Sequence, residues 1–77
     1  MHNYQKRLYQ LRDELIRMNE LFEGDYDINF VDTFIEISFD NNMEANEFYE
    51  HLEAIYKFYK NDNHKIYHTI AMMLIYC

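Results

Sequence analysis

The sequence offers few side chains that do chemistry, and their spacing limits what each can do. From Asp25 to Glu36, oxygen-bearing side chains (Asp25, Asp27, Asn29, Glu36) fall at the first, third, fifth and twelfth positions of a calcium-binding loop. The sixth position of such a loop is glycine, and here it is Phe30. A strand-like run, Ile37-Ser38-Phe39, follows where a helix is required, so calcium is not expected. His64 and His68 stand four apart with Asp62 nearby. That spacing puts two imidazoles on one helical face, but without a thiolate or a firm third ligand they make an incomplete zinc site. A cap and an exposed face account for them, and no metal is assigned; His2 and His51 have no evident partner. Ser38 is the single serine, with no histidine placed beside it. Cys77 closes the sequence, where a preorganised pocket is not expected. Gly24 alone cannot cradle a phosphate. Carboxylate pairs abound, but a glycosidase pair needs a rigid cleft that 77 residues scarcely provide. No catalytic residue and no cofactor is assigned, and the chain reads as a non-enzyme.

What remains is charge. The formal net charge is −7, and its placement is uneven. Eleven carboxylates lie between residues 20 and 53: Glu20, Glu23, Asp25, Asp27, Asp32, Glu36, Asp40, Glu44, Glu47, Glu50 and Glu53. No lysine or arginine interrupts them. The basic residues, Lys6, Arg7, Arg12, Arg17, Lys57, Lys60 and Lys65, all lie outside the block. Such a block repels itself. Glu44, Glu47, Glu50 and Glu53 recur every three residues, covering roughly 13 Å of helix axis at about 1.5 Å per residue. A nucleic-acid strand carries one phosphate per roughly 3.4 Å, a charge density of the same order. The row therefore suits a lysine- and arginine-lined groove built for phosphates, with Asp25, Asp27 and Glu36 in support. Solvation offers a plainer account: acids suit the first turn of a helix, Glu53 can pair with Lys57, and acidity aids solubility. Direct nucleic-acid or membrane-surface binding wants a basic face. In the first helix Asp13 and Glu14 interrupt the basic residues.

Four elements must position these groups. Tyr4, Leu8, Leu11, Leu15, Met18 and Phe22 mark one face of a helix over residues 3–23, capped by Asn3 and stopped by a left-handed Gly24. Asp13 and Arg17 are spaced to pair. Residues 26–39 alternate as a hairpin turning at Asp32-Thr33. Tyr26, Ile28, Phe30, Ile35, Ile37 and Phe39 would share its apolar face, although Asp-Thr is not a favoured turn. Residues 42–60 form a second helix with Asn41 and Glu44 as a capping box and Ala45, Phe48, Leu52, Ile55 and Tyr59 inside. Residues 63–76 separate Ile66, Ile70, Met73, Leu74 and Cys77 from Lys65, His68, Thr69, Met72 and Tyr76, which favours a helix and leaves a third strand as the alternative. The expected fold is α+β: one domain spanning 1–77, with helices packed on a small antiparallel hairpin. The start leads into an amphipathic pattern and not an apolar leader. The longest apolar run, Ile70–Cys77, is too short to cross a bilayer, so cytoplasm is expected.

The acidic block Glu20–Glu53 and the hairpin Tyr26–Phe39, set in the order helix, hairpin, helix, helix, resemble small acidic phage-encoded anti-CRISPR proteins that imitate DNA. The resemblance covers most of the chain as size, acidity and element order. It implies an inhibitor that competes with nucleic acid for a CRISPR effector, and carries over no individual residue. The leading expectation is thus an inhibitor or adaptor that turns its acidic surface to a basic, nucleic-acid-handling protein. The alternative is a homodimeric module whose seam draws on Tyr9, Tyr49, Tyr56, Tyr67, Met72, Met73 and Leu74. Metal binding comes third.

Overall fold

The computed structural model describes residues 2–59 and 63–76. The spacing of Tyr4, Leu8, Leu11 and Leu15 is realised as α1 (Asn3–Phe22), with all four side chains buried. Its cap lies one residue earlier than expected: the His2 N–H donates to Gln5 Oε1 at 2.9 Å. The apolar stripe fades at half-buried Met18, and Phe22 is exposed. The helix stops at Glu23, which is left-handed (φ 53°, ψ 44°), while Gly24 lacks a positive φ. Gly24 serves close approach instead. A Cβ there would sit 2.7 and 2.9 Å from ring carbons of Tyr26. Asn19 fixes that residue by accepting its N–H at 2.7 Å and donating to its carbonyl at 2.8 Å.

The hairpin expected over Tyr26–Phe39 is not formed. Those residues build α2 (Ile28–Asp40), and among the described residues there is no strand, so the fold is all-α and not α+β. Three features favour the helix. Asp27 is an N-cap, its carboxylate accepting the Phe30 N–H at 3.0 Å. Val31, Phe34, Ile35 and Ser38 follow the helical period and are the residues buried. No glycine is present for the tight turn that a hairpin at Asp32-Thr33 needs. Of the six residues assigned to the hairpin's apolar face, only Ile35 is fully buried, and Ile37 and Phe39 are exposed.

Asn41 does not open the next helix. Its N–H returns to the Ile37 carbonyl at 3.1 Å, ending α2. Asn42 turns the chain with φ 46°, and Met43 is bonded through its N–H to the Ser38 carbonyl at 2.9 Å. Then α3 (Ala45–Tyr59) begins, with the Glu44 carbonyl accepting the Phe48 N–H at 3.1 Å. Residues 64–76 are helical as expected (α4, His64–Tyr76), opened by Asn63, whose side chain accepts the Ile66 N–H at 3.1 Å. The expectations attached to Lys60, Asp62 and Cys77 lie outside the described residues.

The pairs α1–α2 and α3–α4 pack side by side, and α4 also reaches α1 and α2. Phe48 of α3 locks the pairs together. Its ring meets Tyr4 of α1 at 5.0 Å and stands edge-on to Phe34 of α2 at 6.0 Å. Leu52, Ile70 and Met73 complete the core, each worth about 1.5–3 kcal/mol on burial. Two buried hydroxyls do structural work inside it. Ser38 accepts from Gln5 Nε2 at 3.1 Å and donates to the Ile35 carbonyl. Thr69, assigned by its spacing to the polar side of α4, is fully buried; it accepts the Asp27 N–H and donates to the Lys65 carbonyl, both at 2.8 Å. No helix is long and apolar enough to cross a membrane among the described residues.

Candidate functional site

The seven carboxylates singled out by the sequence fall into three groups. Phe48 and Leu52 turn inward, so residues 47, 50 and 53, at 100° per residue, occupy the opposite side of α3. Glu47, Glu50 and Glu53 are exposed there in a row that spirals slowly along roughly 9 Å of axis. Glu44, also exposed, precedes the first turn, and the row ends at Lys57 in the last. Among the described residues no lysine or arginine forms an ion pair with any of the four glutamates, and the possible Glu53–Lys57 pair is not made.

The supporting residues are placed differently. Asp27 is committed to capping α2 and is half-buried. Asp25, in the α1–α2 connection, lies 3.8 Å from Lys65 Nζ. Glu36 is exposed on α2, another helix altogether. Only the α3 glutamates share one face.

Elsewhere two arginines are held by near neighbours. Arg12 of α1 grips Asp32 of α2 through Nε, with Nη2 to Oδ2 at 3.3 Å. This bond, with the nearby negative charge, raises the guanidinium pKa further above its already high value. Arg17 pairs with Glu14 at 3.2 Å and not with Asp13, which lies 3.8 Å from Arg12. Asp32 thus drops out of the free acidic surface, and no spacing rule within one helix reveals a tie between two.

Three of the four tyrosines expected at a dimer seam, Tyr49, Tyr56 and Tyr67, are half-buried against rings of the same chain. Tyr56 donates to Tyr67 at 2.7 Å with ring centroids 4.6 Å apart, and Tyr49 stands edge-on to Phe48 at 5.8 Å. Tyr9 leans on Phe39 at 6.2 Å. Met73 is core. Tyr9 itself remains exposed, and the most exposed large apolar side chains are Leu21, Phe22, Phe58, Ile75 and Tyr76. An open groove of about 410 Å³ between α1 and α4 is floored by Leu11, Met18 and Met72, with Arg7, Glu14 and Tyr76 around it. Sequence reasoning missed this groove because periodicity within a helix says nothing of which helix lies beside it.

Other chemistries find little. The Ser38 hydroxyl is fully buried and bonded, out of reach of a substrate. The calcium-loop match is a helix cap followed by a helix. His64 and His68 touch through Nε2 atoms 2.8 Å apart. No group of three or more histidine, cysteine or acidic side chains able to hold a metal occurs among the described residues. No family model matches the chain, and neither the curated proteins nor the solved structures include a significant match.

Proposed function

We propose that this domain is a non-catalytic binding protein that offers the outward face of α3 to a basic groove built for phosphates. The observation that carries the reading is the row Glu47, Glu50 and Glu53, with Glu44 ahead of it: exposed and without a cation on the described part of the chain. One carboxylate per roughly 4.5 Å of helix axis approaches the roughly 3.4 Å phosphate repeat of a strand. Like charges held this close cost stability, and a docked lysine- or arginine-lined surface relieves that cost while speeding encounter. Asp27 caps α2 and Asp25 lies near Lys65, so the reading rests on the α3 row rather than on them. With α2 in place of a hairpin, the resemblance to anti-CRISPR proteins keeps only size and acidity, so the partner is defined by its chemistry: a nucleic-acid-handling protein, met in the cytoplasm.

The test is capture on the immobilised domain from nuclease-treated bacterial lysate, followed by elution with a DNA oligonucleotide. A retained basic protein that DNA and salt both displace supports phosphate replacement. Retention indifferent to both contradicts it.

A second reading, self-association, is favoured by the exposure of Phe22 at 74%, Ile75 at 70% and Leu21 at 66%. A monomer at high concentration in analytical ultracentrifugation would exclude it.

A further inference from the structure

His64 and His68 are not used by the acidic face, and their geometry holds more than the spacing did. Both imidazoles are exposed, with ring centroids 4.2 Å apart and planes at 89°. Their Nε2 atoms lie 2.8 Å apart, so one ring must donate and the other accept. We propose that this pair is an open two-imidazole chelate for a divalent ion of the copper and nickel class, with solvent filling the remaining positions.

The separation favours one coordination geometry. A metal at about 2.0–2.1 Å from each nitrogen subtends roughly 85° across this pair. That is close to the roughly 90° between neighbouring ligands in tetragonal copper(II) or nickel(II) sites and far from the roughly 109° of tetrahedral zinc. The order of divalent affinities for nitrogen ligands points the same way, with copper highest. The helix backbone beneath the pair is already fixed. Asn63 caps the first turn, and Thr69 ties the Lys65 carbonyl to the buried side of α4. Lys65, next to His64 in sequence, is turned to Asp25. The α4 dipole opposes a cation in the first turn, while the net charge of −7 attracts one. Lacking a third protein ligand among the described residues, the site is exchangeable and unlike a closed structural zinc centre. To free both Nε2 atoms for the ion, the donating ring carries its proton on Nδ1 instead; protons compete with the ion for the ring nitrogens, so binding weakens as solution is acidified.

The test is calorimetric titration of the full chain with copper(II) or nickel(II) chloride at about pH 7.5, in a His2→Ala background because an amino terminus followed by histidine binds copper by itself. One equivalent should bind, in the order copper, nickel, zinc. His64→Ala or His68→Ala should abolish the binding, and His51→Ala should leave it intact. The metal should raise the melting temperature of the parent and of neither α4 variant. Binding that survives His68→Ala overturns the proposal. If a variant fails to fold, paramagnetic broadening in the parent decides: His64 and His68 imidazole resonances should vanish first, and first loss elsewhere overturns it.

Discussion

The Tyr4 hydroxyl donates to the Met43 carbonyl, joining the first turn of α1 to the connection between α2 and α3. Tyr4 is 1% exposed and its ring also meets Phe48, so one side chain ties three elements. Tyr4→Phe keeps the packing and leaves that carbonyl unpaired. The expected cost is about 1–3 kcal/mol, read as a lower urea midpoint with an unchanged slope.

Thr69 makes a comparable link from α4 to the cap of α2, since its hydroxyl receives the Asp27 N–H. Thr69→Val preserves the shape and orphans that donor, at a cost of about 1–3 kcal/mol. Thr69→Ser retains the bond and should lose less. Equal losses in the two variants would contradict the assignment.

At the end of α1 the structure reverses the ordinary expectation for glycine. Glu23 holds the left-handed conformation and Gly24 the tight contact with Tyr26. Glu23→Gly should be neutral or stabilising by up to about 1 kcal/mol. Gly24→Ala should destabilise by about 1–3 kcal/mol through overpacking. Thermal melts of the two variants should move in opposite directions or show loss in the second alone.

Alkaline pH should unfold this domain. Burial raises the Tyr4 phenol above the ordinary 10.0, against a smaller lowering by the neighbouring Ser38 hydroxyl. The bond to Tyr67 raises Tyr56, with burial adding to it. Both folded pKa values exceed the unfolded one, so this contribution is complete below pH 10.0 and is lost as pH rises through the folded values. Urea midpoints should fall above that pH, tyrosinate absorbance should lag that of free tyrosine, and Tyr56→Phe should blunt the fall. A midpoint that climbs through the same range would contradict this.

Much of this architecture was written in spacing. Tyr4, Leu8, Leu11 and Leu15 admit one regular structure, and the wheel of α3 likewise separates inside from outside, whereas that of α4 placed Ile70 and Met73 inside but left buried Thr69 on the polar side. α2 was not legible because its apolar residues satisfy two periods at once. Tyr26, Ile28 and Phe30, then Ile35, Ile37 and Phe39, alternate well, whereas the helical stripe ends in Ser38, whose burial depends on Gln5 from another helix. Two local cues favoured the helix: Asp27 as a cap and no glycine at the turn. The candidate site was half legible for a similar reason. A single-helix rule placed Glu47, Glu50 and Glu53 together, but Asp25, Asp27 and Asp32 are claimed by Lys65, the α2 backbone and Arg12. Those claims arise only once the helices meet.

The central claim is that the exposed carboxylates of α3 are what the partner holds. Glu44, Glu47, Glu50 and Glu53, all changed to glutamine, take the net charge from −7 to −3, and should shift stability by no more than about 0.5 kcal/mol because none is buried or ion-paired. The deciding measurement compares this variant with the parent for affinity to the captured protein at low salt. The account predicts a folded variant with binding reduced at least about tenfold and a shallower dependence on salt. A folded variant that binds as tightly as the parent, with the same salt dependence, would contradict it.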